Sequence, residues 1–119
     1  MNSHKDLNVW KNAVSFVSDI YKITERFPNS ELFGLTNQIR RAAVSIPSNI
    51  AEGAARTSQK EFNQFLSIAL GSSAEVETQL LIAMNLQFIS TVEYKELTIK
   101  IDDIRKMLIG LKKSLKSNE

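Results

Sequence analysis

The residues of this 119-residue chain that could carry out catalysis are few. The chain contains no cysteine and a single histidine, His4, which lies close to the N-terminus. This composition disfavours a catalytic triad, a histidine-rich metal site and thiolate chemistry. Neither a glycine-rich phosphate loop nor a zinc-protease motif occurs in the sequence. We therefore predict a protein that is not an enzyme and that has no catalytic residues, no metal site and no cofactor.

Three glutamates, Glu52, Glu75 and Glu77, could be imagined as a carboxylate site inside a helical bundle. The Glu-x-x-His motif that di-metal sites in such bundles use is absent from the sequence. Glu52 also stands four residues before Arg56, a spacing at which opposite charges on a helix attract by a few tenths of a kcal/mol. We interpret these acids as structural.

The basic residues are the stronger candidates for a function. Net charge is only +2, but residues 61–103 carry seven acids and two lysines, whereas residues 104–118 carry five bases and no acid. Such a segment either tracks phosphates or is a solvated face that complements the C-terminal helix dipole, at about 0.3–1 kcal/mol per cation. No aromatic residues interleave with the bases, which argues against sequence-specific reading of single strands. The candidate nucleic-acid contacts are Arg40, Arg41, Arg56, Arg105, Lys106, Lys112, Lys113 and Lys116.

The adjacent arginines Arg40 and Arg41 leave two roles open. One could cross a subunit boundary to a carboxylate such as Glu75 or Glu77 and form a structural ion pair. The other could face solvent or nucleic acid. The sequence does not assign the two roles.

Four helical patterns position these residues. Apolar residues recur at three-four spacing along most of the chain, and few prolines or glycines interrupt them. Pro28 ends the first pattern and Ser30 is the expected N-cap of the second, while Ser58–Glu61 and Ser90–Glu93 match the capping box. We predict a single all-α domain over residues 1–119, an up-down-up-down four-helix bundle with helices at about 7–27, 31–55, 58–88 and 91–116.

The spacing also predicts the core. In the first helix it selects the stripe Trp10, Ala13, Val14, Val17, Ile20, Tyr21 and Phe27. In the second helix the predicted core residues are Leu35, Ile39, Ala42, Ala43, Ile46 and Ile50. In the third and fourth helices they are Phe62, Phe65, Leu66, Ala69, Ser73, Val76, Leu80, Ala83, Tyr94, Leu97, Ile101, Ile104, Leu108, Leu111 and Leu115.

The second and third helices are apolar over more than their core faces. A helix that is apolar on more than one side is buried on more than one side, and a second copy of the chain is the simplest cover. Pro47 costs about 3 kcal/mol inside a helix, so its kink either curves the helix around the core or shapes a docking surface. The predicted subunit interface comprises Val44, Pro47, Ala51, Leu70, Ala74 and Leu81.

Two segments resemble a known family. "FGLTNQIRRAAVSIPSNIAEGAAR" and "SQKEFNQFLSIALGSSAEVETQL" are similar to the bacterial four-helix-bundle proteins encoded in intervening sequences of 23S rRNA genes. The resemblance implies a ring-like homopentamer, and kinship with the accessory variability determinant protein of diversity-generating retroelements, a basic pentamer that associates with nucleic acid and a reverse transcriptase. It implies no known biochemical activity. The net charge of +2 departs from that basic relative.

Together these observations predict a homo-oligomeric assembly or adaptor module, a pentamer by resemblance, that binds RNA or DNA backbone through charge. The alternative is a purely protein-binding scaffold with no nucleic-acid role. The N-terminus has no apolar stretch typical of a secretory signal, and the absence of cysteine fits a reducing compartment. We expect a cytoplasmic protein with no membrane partner.

Overall fold

A computed structural model describes residues 3–117, and these residues form four α-helices and no β-strand. The helices are α1 (Asn8–Thr24), α2 (Leu35–Ala54), α3 (Gln59–Asn85) and α4 (Thr91–Ser117). Short 3₁₀ turns precede α1 and α2, at His4–Asp6 and Asn29–Glu31. The predicted all-α class with four helices is confirmed. No helix in the described part of the chain is long and apolar enough to span a bilayer.

Each helix packs against its neighbours in the chain, and α4 packs back against α1 to close the bundle. Within residues 3–117 the diagonal pairs α1–α3 and α2–α4 have no Cα atoms within 8 Å of each other. Successive helices run antiparallel, and the bundle measures 46 × 24 × 20 Å. We call the outer side where α1 meets α2 the α1–α2 edge, and the outer side where α3 meets α4 the α3–α4 edge. These two edges therefore lie on opposite sides of the bundle.

The start of α2 differs from the prediction. Ser30 was expected to cap a helix that begins at Glu31, but Ser30 and Glu31 lie in the 3₁₀ turn and α2 begins at Leu35. The carboxylate Oε1 of Glu31 accepts a hydrogen bond from the Leu35 amide at 3.2 Å. Glu31 thus accepts a hydrogen bond from one of the free amides at the start of α2, as a capping serine would.

The junction of α3 and α4 is fixed by local hydrogen bonds. Ser90 Oγ accepts from the Glu93 amide at 3.0 Å, and Glu93 Oε1 accepts from the Ser90 amide at 2.9 Å, so this capping box is complete. At the predicted box of α3, Ser58 Oγ accepts from the Glu61 amide at 3.1 Å. The end of α3 comes at Asn85, before the predicted residue 88, because Gln87 adopts φ 64° and closes a Schellman-type turn.

The core of α1 agrees with the predicted stripe only in part. Ala13, Ile20 and Phe27 are buried as predicted, and Val9 and Phe16 are buried in addition, whereas Val14 and Tyr21 are 40% and 41% exposed. Val14 and Tyr21 each follow a buried residue by five positions, which places them about 140° away around the helix. The buried residues therefore face the bundle axis, and Val14 and Tyr21 lie along the α1–α2 edge. In α2, all six predicted core residues are buried.

The contact between α2 and α3 is close. Ser45 Oγ lies 2.8 Å from Ser72 Oγ, which sets the height of one helix against the other. A Cβ atom on Gly53 would lie 2.7 Å from Phe65 Cβ and 2.9 Å from Phe62 Cδ1. Gly53 is buried where the last turn of α2 packs on α3.

Candidate subunit interface and nucleic-acid surface

Exposed apolar side chains lie on both edges of the bundle. On the α1–α2 edge, Val14 is 40% exposed and Val44 38% exposed, with Ala51 half-buried beside them. We name Val14, Val44 and Ala51 the first patch. On the α3–α4 edge the second patch comprises the half-buried Leu70 and the exposed Ala74, Leu81 and Ile109.

The two patches lie at the same height along the bundle. Because α2 and α3 are antiparallel, rise 1.5 Å per residue and meet at Ser45 and Ser72, Val44 is level with Ser73. Val44 in the first patch is therefore level with Ala74 in the second. The structure thus divides the predicted interface residues between two opposite edges.

Pro47 does not belong with the other predicted interface residues. It lies inside α2 and is buried within this chain, on the side that faces α1. Its side chain is already covered by the protomer, so it presents no surface to a second copy. Pro47 is therefore not an exposed interface residue in this chain, while the interpretation in which its kink shapes a docking surface stays a prediction.

Arg40 has a structural role inside the protomer. Its Nε donates to Thr24 Oγ1 at 2.8 Å and a terminal nitrogen donates to the Tyr21 carbonyl at 3.3 Å. The guanidinium also lies 4.6 Å from the centre of the Tyr21 ring. It thus binds α2 to the last turn of α1, where a cation is favoured by the helix dipole. Arg40 is therefore a weaker candidate for a nucleic-acid contact than its place in the sequence indicated.

Arg41 is different. It is exposed and makes no hydrogen bond or ion pair with any residue in 3–117. Arg40 is therefore bound within its own chain, and Arg41 faces outward. The predicted ion pair across a subunit boundary stays a prediction.

The basic residues in the middle of α4 are neutralised by acids. Arg105 donates to Asp102 Oδ1 at 2.5 Å and its Nε lies 3.7 Å from Glu77 Oε1, while Lys106 Nζ lies 3.4 Å from Asp102 Oδ2. Hydrogen bonds from Arg105 and then Lys106 lower the pKa of Asp102, and the same contact raises the pKa of Arg105. These two bases are consequently weaker candidates for phosphate contacts than their position in the sequence indicated.

One end of the bundle is basic. There the start of α1, the end of α2, the start of α3 and the end of α4 come together. Residues 3–11, 52–61 and 112–117 carry seven bases and three acids. We call this the basic end; at the other end, residues 22–34 and 84–96 carry three bases and four acids.

Four of the predicted nucleic-acid contacts lie at the basic end. Lys112 Nζ donates to Ser67 Oγ at 2.6 Å and to Asn63 Oδ1 at 3.1 Å, so it also joins α4 to α3. Arg56 lies 4.9 Å from the Phe65 ring centre and 4.0 Å from Glu52, the predicted i,i+4 partner. A surface cavity of about 210 Å³ is lined by Asn63, Ile109, Lys112, Lys113 and Lys116.

No carboxylate or histidine cluster with the makings of a metal site occurs among residues 3–117. His4 packs edge-on against Trp10, with ring centres 5.0 Å apart. Glu75 accepts a hydrogen bond from its neighbour Gln79 at 3.3 Å, and Glu52 pairs with Arg56. Glu52 and Glu75 therefore each have a partner four residues further along the chain, which agrees with a structural role.

A sequence model of the 23S rRNA-intervening sequence proteins matches residues 5–110, which include all of α1, α2 and α3 and most of α4. The chain belongs to this family. A solved structure from Bacteroides thetaiotaomicron VPI-5482, a protein with unknown function from the S23 ribosomal protein family, superposes with a TM-score of 0.79. It is 28% identical in sequence, and the match covers 88% of this chain and 98% of that one. No curated protein is significantly similar to this chain.

Proposed function

We propose that this member of the 23S rRNA intervening sequence family is a non-enzymatic assembly module that forms a ring of identical copies. The supporting observation is the pair of different apolar patches at the same height on opposite edges. A two-fold dimer joins one patch to itself, whereas a closed ring joins two different patches. The copies stand side by side, with the first patch of each against the second patch of the next. The number of copies, five, comes from the family resemblance.

The test is the solution mass. Light scattering after size exclusion should give a single species at a multiple of the 13.4 kDa chain mass. Val44→Glu and Ala74→Glu each place a charge in a different patch, and each should lower the mass because an unpaired buried charge is costly. Val92→Glu is the matched control, since Val92 is 65% exposed on the first turn of α4, away from the level of Val44. A wild-type monomer, or variants with an unchanged mass, would contradict the ring.

We further propose that the ring binds RNA or DNA backbone at its basic end. In a ring of side-by-side copies all basic ends point the same way, so the seven bases and three acids of each copy form one face. Binding of this kind is independent of sequence and falls steeply with salt. Such binding would allow the ring to act as an adaptor without an active site. The rival function is a purely protein-binding scaffold, in which the same face has no nucleic-acid role.

Fluorescence anisotropy with labelled RNA and DNA distinguishes the nucleic-acid adaptor from the protein-binding scaffold. At about 50 mM salt the protein should bind, and at about 200 mM the affinity should fall by at least tenfold. Lys112→Gln/Lys113→Gln/Lys116→Gln should weaken binding and flatten the salt dependence. Arg105→Gln/Lys106→Gln, whose bases are already paired with acids, serves as the comparison and should have a smaller effect. Absence of binding at the lower salt would favour the scaffold.

A further inference from the structure

Arg41 is an exposed charged group that has no partner among residues 3–117 and stands next to the first patch. It lies three residues before Val44 on the outer surface of α2, and residues three apart are neighbours on a helix. Arg41 therefore borders the first patch. No acid among residues 3–117 lies within ion-pair distance of its guanidinium, whereas its neighbour Arg40 donates two hydrogen bonds to α1.

Glu77 is the corresponding acid on the opposite edge. It lies three residues after Ala74 and four before Leu81, so it is surrounded by the second patch. Its Oε1 is buried and accepts no hydrogen bond from the described residues. Arg105, 3.7 Å away, is already hydrogen-bonded to Asp102. The Glu77 side chain is nevertheless 37% exposed. A second copy can therefore reach it through its exposed part rather than through the buried Oε1, and a carboxylate there accepts charge-assisted hydrogen bonds.

The two groups are level with each other. Arg41 lies four residues before Ser45, and Val76 lies four residues after Ser72 in the antiparallel helix. Arg41 is therefore level with Val76, the residue next to Glu77. When two copies stand side by side at the same height, the edge that carries Arg41 meets the edge that carries Glu77. Charge complementarity therefore adds to the apolar match.

We propose that Arg41 of each copy forms an ion pair with the Glu77 carboxylate of the next copy. This proposal rests on the ring assembly described above and adds the residues that set its direction and register. If a copy is turned over so that two identical edges face each other, like charges meet, and such contacts are disfavoured. The pair thus selects the heterologous contact over a two-fold one.

Glu75 is the rival acid, and the geometry disfavours it. Its hydrogen-bond partner Gln79 is buried on the side of α3 that carries Ser72, which bonds Ser45 of α2. Glu75 therefore belongs to the α2–α3 face of its own chain. Glu77 is on the side of α3 that faces α4, as its proximity to Arg105 shows.

Charge exchange tests the pair. Arg41→Glu and Glu77→Arg should each raise the protein concentration at which half of the assembly dissociates by on the order of 100-fold, and Arg41→Glu/Glu77→Arg should recover most of this. Arg41→Glu/Glu75→Arg is the matched control and should stay dissociated. Circular dichroism melts establish folding. If Glu77→Arg does not fold, the neutral cycle of Arg41→Gln, Glu77→Gln and their double variant measures the same coupling.

The outcomes distinguish the pair from the ring. An oligomeric wild type whose mass is unchanged by Arg41→Glu, or a charge-exchanged double variant no better than the singles, overturns the pair and leaves the ring intact. Rescue by Glu75→Arg instead of Glu77→Arg also overturns it. A wild type that is monomeric at every concentration overturns the ring and the pair together.

Discussion

At the scale of single residues, the tightest packing constraint is the absent side chain of Gly53. The space that a Cβ would need is occupied by Phe65 and Phe62, at 2.7 and 2.9 Å. Phe65 Cβ cannot move without its backbone, and the Phe62 carbonyl oxygen of the backbone would lie 3.2 Å from the added atom. Glycine is therefore required for close packing between the last turn of α2 and the first turns of α3.

Gly53→Ala should destabilise the protein by about 1–3 kcal/mol, because an added methyl group in a filled contact forces the helices apart. Chemical denaturation measures the change in free energy of unfolding. Gly110→Ala in α4 is the control: no atom lies within 4 Å of a Cβ built there. It should stabilise the helix by up to about 1 kcal/mol. Equal effects of the two substitutions would contradict a steric role for Gly53.

At the scale of helices, the Glu93 carboxylate makes two interactions that stabilise the start of α4. Glu93 accepts from the Ser90 amide and also pairs with Arg26, which follows the end of α1. The hydrogen bond from Ser90, followed by that from Arg26, lowers the pKa of Glu93 below its ordinary value of 4.5. The carboxylate therefore stabilises the fold when it is ionised.

This predicts a pH-dependent effect of Glu93→Gln. A lowered folded-state pKa gives stability that is present above the unfolded value and lost as the pH falls through the folded value. Glutamine keeps the capping bond but not the charge. The variant should be less stable than wild type by up to about 1 kcal/mol near pH 7, and the two should converge near pH 3. Thermal melts across this range provide the measurement, with Glu96→Gln as the charge control. A gap that persists at low pH would show that charge is not the cause.

At the scale of the whole molecule, the sequence predicted what depends on local spacing. Three-four periodicity and two capping boxes were enough for four helices and for the core of α2. The same periodicity was ambiguous in α1, where Val14 and Phe16 lie on competing stripes and only the neighbouring helices decide between them. Likewise, Arg40 and Arg41 could not be distinguished until Thr24 and Tyr21 were brought beside one of them.

The two apolar patches of the proposed assembly could not be located from periodicity alone. Val44 and Ala74 are both visible in the sequence as surplus apolar residues, but their placement on opposite edges depends on the order of helices around the bundle. Their equal height depends on one serine–serine contact. The basic end was missed for the same reason, because it collects charges from all four helices, which are remote from one another in the chain.

The turn between α1 and α2 offers a practical site for spectroscopy. Phe33 lies in that turn and is 91% exposed, at the end of the bundle away from the basic residues. Since the chain has no cysteine, Phe33→Cys would create a single thiol for a fluorophore or spin label. A probe there would leave the basic end unobstructed, and in the proposed ring the distances between probes on neighbouring copies would report how many copies surround the axis.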